Sequence, residues 1–283
     1  MKNNVLLLLF ILPFFSINQT ITETFSSSKI INAQSVETLK KRHFEYHIEH
    51  RFGDAGGKAG GVDNGFGFDN AADIRFAVLY GLSDKLLVGF GRSKGSFSAY
   101  KSVLDGSLKY KIFEQKTKGF PFSISFYASS TYSYVGKSSN INDFHYFTKS
   151  IHRLAYCSQL IIAKKFGSWL SFALQPTLIH RNYVRPGDEN TLFALGSGLN
   201  IKFSKSMGLL IDYFHAFRKT NPGNVYQDAL AVGFEYLTNG HRFSVSFSNS
   251  SLFNETQFIP ATIERWDLGQ YRLGFTISRT FKF

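Results

Sequence analysis

Apolar side chains recur at every second position along most of this sequence. Over residues 42–283 they fall into segments of about ten residues, the length and period of a membrane strand with one apolar face. In the first segment Phe44, Tyr46 and Ile48 share one parity, and Glu45 has the other. About twelve such segments follow one another, and the chain is therefore predicted to be all-β.

The links between the segments distinguish a membrane barrel from a soluble sandwich. The links near 82–85, 113–120, 164–168, 203–207 and 237–241 are short, and those near 53–70, 93–102, 135–150, 181–191, 218–227 and 249–266 are longer and polar. Short and long links alternate in outer-membrane barrels, whereas a sandwich has no reason to sort its loops in this way. We expect a closed antiparallel transmembrane β-barrel of about 12 strands, which leaves no strand edge unpaired in lipid.

The composition agrees with a barrel in a membrane. With 31 Phe and 14 Tyr, aromatic residues reach 17%, while charged residues reach only 18% against the usual quarter. A hydrophobic fraction of 43% excludes disorder. The net charge is +12, but the longest basic run is Lys40, Lys41 and Arg42 and the other basic residues are scattered, so nucleic acid is not an expected partner. Contact with outer-membrane lipid, whose headgroups are anionic, explains this scatter better.

The first residues have the pattern of an export signal. Lys2 gives a cationic start, residues 5–15 are apolar and residues 16–20 are polar. We predict a signal peptide over 1–20, although the cleavage point is undefined. Residues 21–41 are expected to be a polar periplasmic lead-in and 42–283 to be the barrel, located in the cell outer membrane.

The last segment alternates up to Phe283. This ending resembles the C-terminal signal that the barrel-assembly machinery recognises in outer-membrane proteins. The residues predicted to serve membrane assembly are Tyr271, Phe275, Phe281 and Phe283. Two residues do not suit their strands: Pro176 cannot donate a ladder hydrogen bond, which predicts a bulge, and Arg279 has the lipid-facing parity, which predicts snorkelling.

Short motifs in the first four segments resemble one family. They are Arg51-Phe52-Gly53, Asn70 to Phe76, Tyr80 to Asp84, Gly89 to Ser93 and Asp105 to Lys111. In these motifs the chain is similar to domain-of-unknown-function family 5777, outer-membrane β-barrels of Gram-negative bacteria. The similarity covers the first four strands best and, through the overall pattern, most of the chain. The resemblance implies a barrel and its membrane, and it implies no reaction.

A polar cluster is predicted inside the barrel. If the polar parity of the first strands faces the lumen, the cluster consists of Glu45, His47, Glu49, Arg51, Asp73, Arg75 and Arg272. It is either a constriction or ligand site, or an interior ion-pair network that fills and stiffens the barrel, and we favour the network. Other inward positions carry both signs of charge, so no strong ion selectivity is predicted.

Catalysis, cofactors and metals are not expected. His50, His152, His180 and His215 have the outward parity near the long links, where a Ser/His lipid hydrolase could sit, but no nucleophile signature accompanies them. The glycine-rich stretch 53–70 matches no calcium-loop spacing. The lone cysteine provides neither a disulfide nor a cysteine-based zinc site.

Three functions therefore remain open. The barrel passes or binds a small solute or lipid-like molecule, or it is a structural barrel with a filled lumen that displays its loops, or, least favoured, it is a membrane-embedded lipid hydrolase. Strand number does not decide between the first two functions. Eight strands give a filled interior and sixteen give an open channel, and twelve lies between them.

Overall fold

Twelve antiparallel strands close into a barrel in which the first strand pairs with the last, as the sequence predicts. The computed structural model describes residues 23–70, 73–96, 100–221, 223 and 225–283, so the predicted signal peptide lies outside the described residues. The strands are β1 (His43–Asp54), β2 (Asp73–Ser83), β3 (Leu86–Lys94), β4 (Ser102–Phe113), β5 (Ser123–Ser133), β6 (Leu154–Phe166), β7 (Leu170–Arg181), β8 (Thr191–Lys202), β9 (Met207–Phe217), β10 (Ala229–Leu237), β11 (His241–Ser248) and β12 (Arg272–Lys282).

Side chains alternate between the lumen and the outer surface. Glu45, His47 and Glu49 of β1 are buried inside, whereas Phe90 and Phe234 on other strands are more than half exposed outside. A polar interior and an apolar exterior are the reverse of a soluble protein and suit a cylinder surrounded by hydrocarbon.

The two ends of the barrel differ. The short-turn end carries the links after β2, β4, β6, β8 and β10 together with the start of β1, and the long-loop end carries the others. The alternation of lengths is weaker than predicted, because the link 114–122 at the short-turn end is longer than the link 95–101 at the long-loop end.

Pro176 does not produce the predicted bulge. Between β6 and β7, Gln159 pairs with Thr177 and Ile162 with Leu174, so the register is the same on both sides of the proline. Only the two intervening pairs are missing from the ladder, and the Thr177 hydroxyl donates to the Gln175 carbonyl at 2.8 Å.

The sequence-based prediction is wrong for most of the lead-in, because residues 24–37 lie inside the barrel. They form a bend closed by a Lys29–Gln34 bridge, with the Ile30 N–H donating to the Ala33 carbonyl at 2.8 Å. We call this segment the lumen hairpin (residues 24–37). Apolar side chains account for its burial, since Phe25 is 3% and Val36 0% exposed.

The hairpin packs against an apolar part of the lumen wall. This apolar wall, on β6 to β10, includes Ile161, Ala173, Ile179, Leu192, Leu210 and Phe214. Burying one Leu, Ile or Phe side chain contributes about 1.5–3 kcal/mol, so covering this face stabilises the closed barrel. The hairpin provides part of that cover.

A second segment enters from the long-loop end. Residues 249–262, which we call the inserted loop, follow β11 and include helix α1 (Glu255–Ala261), all of whose residues are buried. Phe258 of α1 packs edge-on against Phe214 of β9, with ring centroids 5.2 Å apart. Within the described ranges, no helix is long and apolar enough to cross a membrane.

Candidate functional site in the lumen

The predicted polar cluster forms a buried ion-pair network around Glu49. Its carboxylate binds Arg75 Nη1 at 2.5 Å and Lys29 Nζ at 2.7 Å, and Arg75 Nη2 also reaches Asp105 Oδ2 at 2.6 Å. Glu49 and Arg75 both belong to the predicted cluster, whereas Lys29 comes from the hairpin. A wall carboxylate is therefore shared between the barrel and its occupant.

The rest of the predicted cluster divides into separate groups. Glu45 pairs with His47 at 2.5 Å. The Arg272 guanidinium lies nearer the long-loop end, where it binds Glu264 and approaches Asp73 at 3.6 Å. All the predicted lumen side chains thus face inward, but Arg272 does not join the group around Glu49.

Arg51 connects the two inserted segments. Its Nη1 donates to the carbonyl oxygens of Ser250 and Leu252 in the inserted loop, and its Nη2 donates to the Asn32 side chain in the hairpin. Among the described residues it forms no ion pair, although it is only 4% exposed. A buried guanidinium without a carboxylate depends on these acceptors.

The tip of the hairpin is held by one carboxylate of β9. Asp212 Oδ2 accepts the main-chain N–H groups of Ile31, Asn32 and Ala33 at 3.1, 2.7 and 3.0 Å. Successive N–H groups pointing at one anion form a nest. The Asn32 side-chain amide also donates to Asp212 Oδ1 at 3.2 Å. Because Asp212 is only 1% exposed, it depends on these donors of the hairpin tip in place of water.

Other wall side chains bind carbonyl oxygens of the hairpin. Lys109 Nζ donates to Ser28 and Ser35 at 2.6 and 2.8 Å. The remaining contacts are Arg242 Nη2 to Ile30 at 2.8 Å, Gln175 Nε2 to Gln34 at 2.7 Å, Ser125 Oγ to Val36 at 2.7 Å and Ser171 Oγ to Thr24. The wall therefore satisfies main-chain groups that an irregular segment cannot pair by itself.

Both ends of the hairpin lie at the short-turn end. Thr24 Oγ1 is 3.4 Å from Ser123 Oγ at the start of β5, and Glu37 pairs with Lys111 near the end of β4 at 3.1 Å. The chain thus enters and leaves through the same opening. It could be withdrawn without threading an end through the barrel.

The hairpin and the inserted loop meet inside the barrel. Gln34 Nε2 donates to Glu255 Oε1 at 2.8 Å, and Lys29 Nζ donates to the Phe253 carbonyl at 3.3 Å. A cavity of about 30 Å³ beside Lys109 has room for one or two water molecules. The two segments together fill the lumen.

The inserted loop is fastened to its neighbours at the long-loop end. Arg218 Nη2 donates to the carbonyls of Ile259 and Pro260 at 3.2 and 2.6 Å, and its guanidinium lies 4.3 Å from the centre of the Tyr226 ring. Burial raises the pKa of the Tyr226 phenol, which donates to Asp188 at 3.0 Å. These contacts hold α1 against the barrel mouth.

The outward histidines contact an acid, threonines and an aromatic ring. His215 Nδ1 contacts Asp228 Oδ2 at 2.8 Å, and His180 Nδ1 contacts Thr191 Oγ1 at 2.8 Å. His152 Nδ1 contacts Thr148 Oγ1 at 3.2 Å, and the His50 ring stacks on Phe275. None of the contacts in the described part of the chain joins these rings to a serine hydroxyl. Nor do three His, Cys, Asp or Glu side chains converge as metal ligands among the described residues.

The sequence does contain a signal for the occupied lumen. In β6, Leu160, Ile161 and Ile162 are consecutive apolar residues, and β9 carries Leu209 and Leu210. A strand that is apolar on both parities has an apolar lumen face. Such a face indicates that another segment covers it, although not which one.

Comparisons with known proteins agree with this architecture. The family model described as a membrane bound beta barrel domain (DUF5777) matches residues 25–281. Among solved structures, NanC porin superposes with a TM-score of 0.52 at 9% identity, covering 85% of this chain and all of that one. An outer-membrane channel from Pseudomonas putida F1 gives 0.46 at 16% identity, covering 87% of this chain and 98% of that one. A search of curated proteins finds no match.

Proposed function

Because the chain belongs to the family of membrane-bound β-barrel domains (DUF5777), we propose that it is a non-enzymatic outer-membrane channel for a small solute, closed at rest by its lumen hairpin. The carrying observation is that two inserted chain segments occupy the space that the side chains of the wall leave inside the barrel. NanC porin, whose fold this barrel shares, is a precedent for a porin of this shape.

The hairpin is the better candidate for the moving part. It forms no strand ladder with the wall, and both of its ends lie at one opening. The inserted loop, by contrast, is tied to the mouth through Arg218 and to β5 through the Thr131–Thr256 contact at 2.8 Å. We infer that the short-turn end faces the periplasm, as in outer-membrane barrels, so that withdrawal would occur toward that side.

Conductance after removal of the hairpin tests the proposal. The full chain and a variant lacking residues 24–37 are folded in detergent and recorded in planar bilayers. We expect the full chain to be almost silent and the deletion variant to show stable single-channel steps. A deletion variant that is folded, as judged by its heat-modifiable mobility, but silent would contradict the channel.

That silent result would favour the second function, a filled structural barrel that displays its loops. A lipid hydrolase is the weakest alternative, because the hydrogen bonds of His180 and His215 join them to Thr191 and Asp228. Lipid-ester turnover abolished by replacing His152, His180 and His215 with Ala would revive it.

A further inference from the structure

We infer that the lumen wall is a binding surface for a bent peptide and that the lumen hairpin is its resident occupant. The inference rests on the proposed function, since a solute reaches this wall only after the hairpin has moved. It names peptides as the class of solute, because the segment that fills the closed barrel is itself a peptide.

The first support is that the wall recognises main-chain atoms. The side chains that donate to hairpin carbonyls are Lys109, Ser125, Ser171, Gln175 and Arg242. Carbonyl oxygens of this kind are the same in every peptide, whatever its sequence. These donors could therefore bind the main chain of another peptide.

The second support is the acceptor opposite these donors. Asp212 binds three successive N–H groups with one carboxylate oxygen, an arrangement that a bent peptide main chain supplies. Together, Lys109 and Asp212 provide a cation for carbonyl oxygens and an anion for amide hydrogens. A surface of donors alone would suit an anionic solute equally well, but this one carries both.

The third support is a recess for an apolar side chain. A Cβ atom on Gly198 of β8 would overlap Ile30 Cδ1, so the wall is hollowed where the hairpin places its isoleucine. Ala173, on the neighbouring strand, is fully buried in the same apolar cluster. A peptide can place an apolar side chain in such a recess, whereas a neutral sugar has none.

The hairpin has two advantages over a free peptide. Its side chains add the Lys29–Glu49 and Glu37–Lys111 ion pairs. It is also tethered, and a short tether gives an effective concentration in the millimolar range. Binding of an added peptide should therefore be measurable only when the hairpin has been removed or displaced.

The test is calorimetric titration of the variant lacking residues 24–37 in detergent. Three probes are compared: a synthetic peptide of residues 24–37, a shuffled peptide of the same composition, and a neutral oligosaccharide of similar mass. We expect the first to bind most tightly, the shuffled peptide to bind more weakly but clearly, and the oligosaccharide not to bind.

A wall variant with a matched control identifies the site. Asp212→Ala in the deletion background should weaken the binding of both peptides by about tenfold or more, because the hydrogen bonds from main-chain N–H groups to a charged carboxylate are lost. Asp63→Ala, which changes an exposed acid of the β1–β2 loop, should leave both affinities unchanged.

Two results would overturn the inference. One is binding of the oligosaccharide as tight as that of the shuffled peptide, and the other is binding of the native peptide alone. A deletion variant that conducts but ignores the shuffled peptide refutes the peptide class and leaves the channel intact. A silent deletion variant that binds both peptides would support the peptide class and contradict the channel.

If the deletion variant does not fold, Ile30→Asp in the full chain replaces it. Ile30 is 2% exposed, so a carboxylate there should expel the hairpin tip while the wall stays unchanged. The same order of affinities is expected, with weaker values because the tethered hairpin competes. Loss of that order would again contradict the inference.

Discussion

At the scale of single residues, Asp212 shows how the closed form is held. A buried carboxylate usually pairs with a cation, but this one is balanced by main-chain N–H groups of the hairpin. The contact therefore exists only while the hairpin is inserted. When the hairpin leaves, Asp212 must find water or another ligand.

Removing this carboxylate should open the barrel more often. In Asp212→Ala the buried N–H groups of residues 31–33 lose their acceptor, and an unsatisfied buried donor costs about 1–3 kcal/mol. We expect the single-channel open probability of the full chain to rise by about tenfold or more. An unchanged open probability, equal to that of Asp63→Ala, would show that the tip contact does not hold the gate.

Two glycines give a second residue-scale prediction. Gly198→Leu places a side chain in the space of Ile30, whereas Gly106→Leu changes a strand glycine whose Cβ would have nothing within 4 Å. Overpacking costs about 1–3 kcal/mol, so Gly198→Leu should loosen the tip and speed tryptic cleavage after Lys29 by about fivefold or more. Equal cleavage rates in the two variants would argue against close packing at Ile30.

At the scale of elements, the strands were predictable and the hairpin was not. Each strand carries its own period-two pattern, and pairing with chain neighbours follows from that pattern. The apolar residues of the hairpin, such as Phe25, Ile30 and Val36, follow no period. They become interpretable only beside the apolar lumen faces of β6 to β10, which belong to residues far away in the chain.

The end of β12 gives a prediction for assembly. The Phe283 N–H donates to the Arg42 carbonyl at 3.0 Å, and its ring meets Phe44 with centroids 5.9 Å apart, so it joins the last strand to the first. Deleting Phe283 should reduce the fraction of heat-modifiable, folded barrel in outer membranes severalfold. Val62→Ala, in an exposed loop, is the control, and equal insertion of both variants would refute a role for Phe283 in assembly.

At the scale of the whole molecule, the period-two pattern predicted the members of the polar cluster. It did not predict that two inserted segments would be among their binding partners. Glu49 and Arg75 of the predicted cluster form an ion pair, yet Glu49 also binds Lys29, and Arg51 binds the two inserted segments. Parity specifies which side chains face inward. It does not specify what they face, because that depends on segments without a periodic pattern.

A disulfide lock tests most directly whether the hairpin closes the barrel. Thr24→Cys with Ser123→Cys ties the base of the hairpin to β5, and Thr131→Cys with Thr256→Cys ties the inserted loop to the same strand. Both pairs are made with Asp212→Ala, to favour opening, and with Cys157→Ala, to prevent mispairing. The hairpin lock should be silent in bilayers when oxidised and conduct when reduced, while the loop lock conducts in both states. Conduction through the oxidised hairpin lock, with silence of the oxidised loop lock, would contradict the account and make the inserted loop the gate.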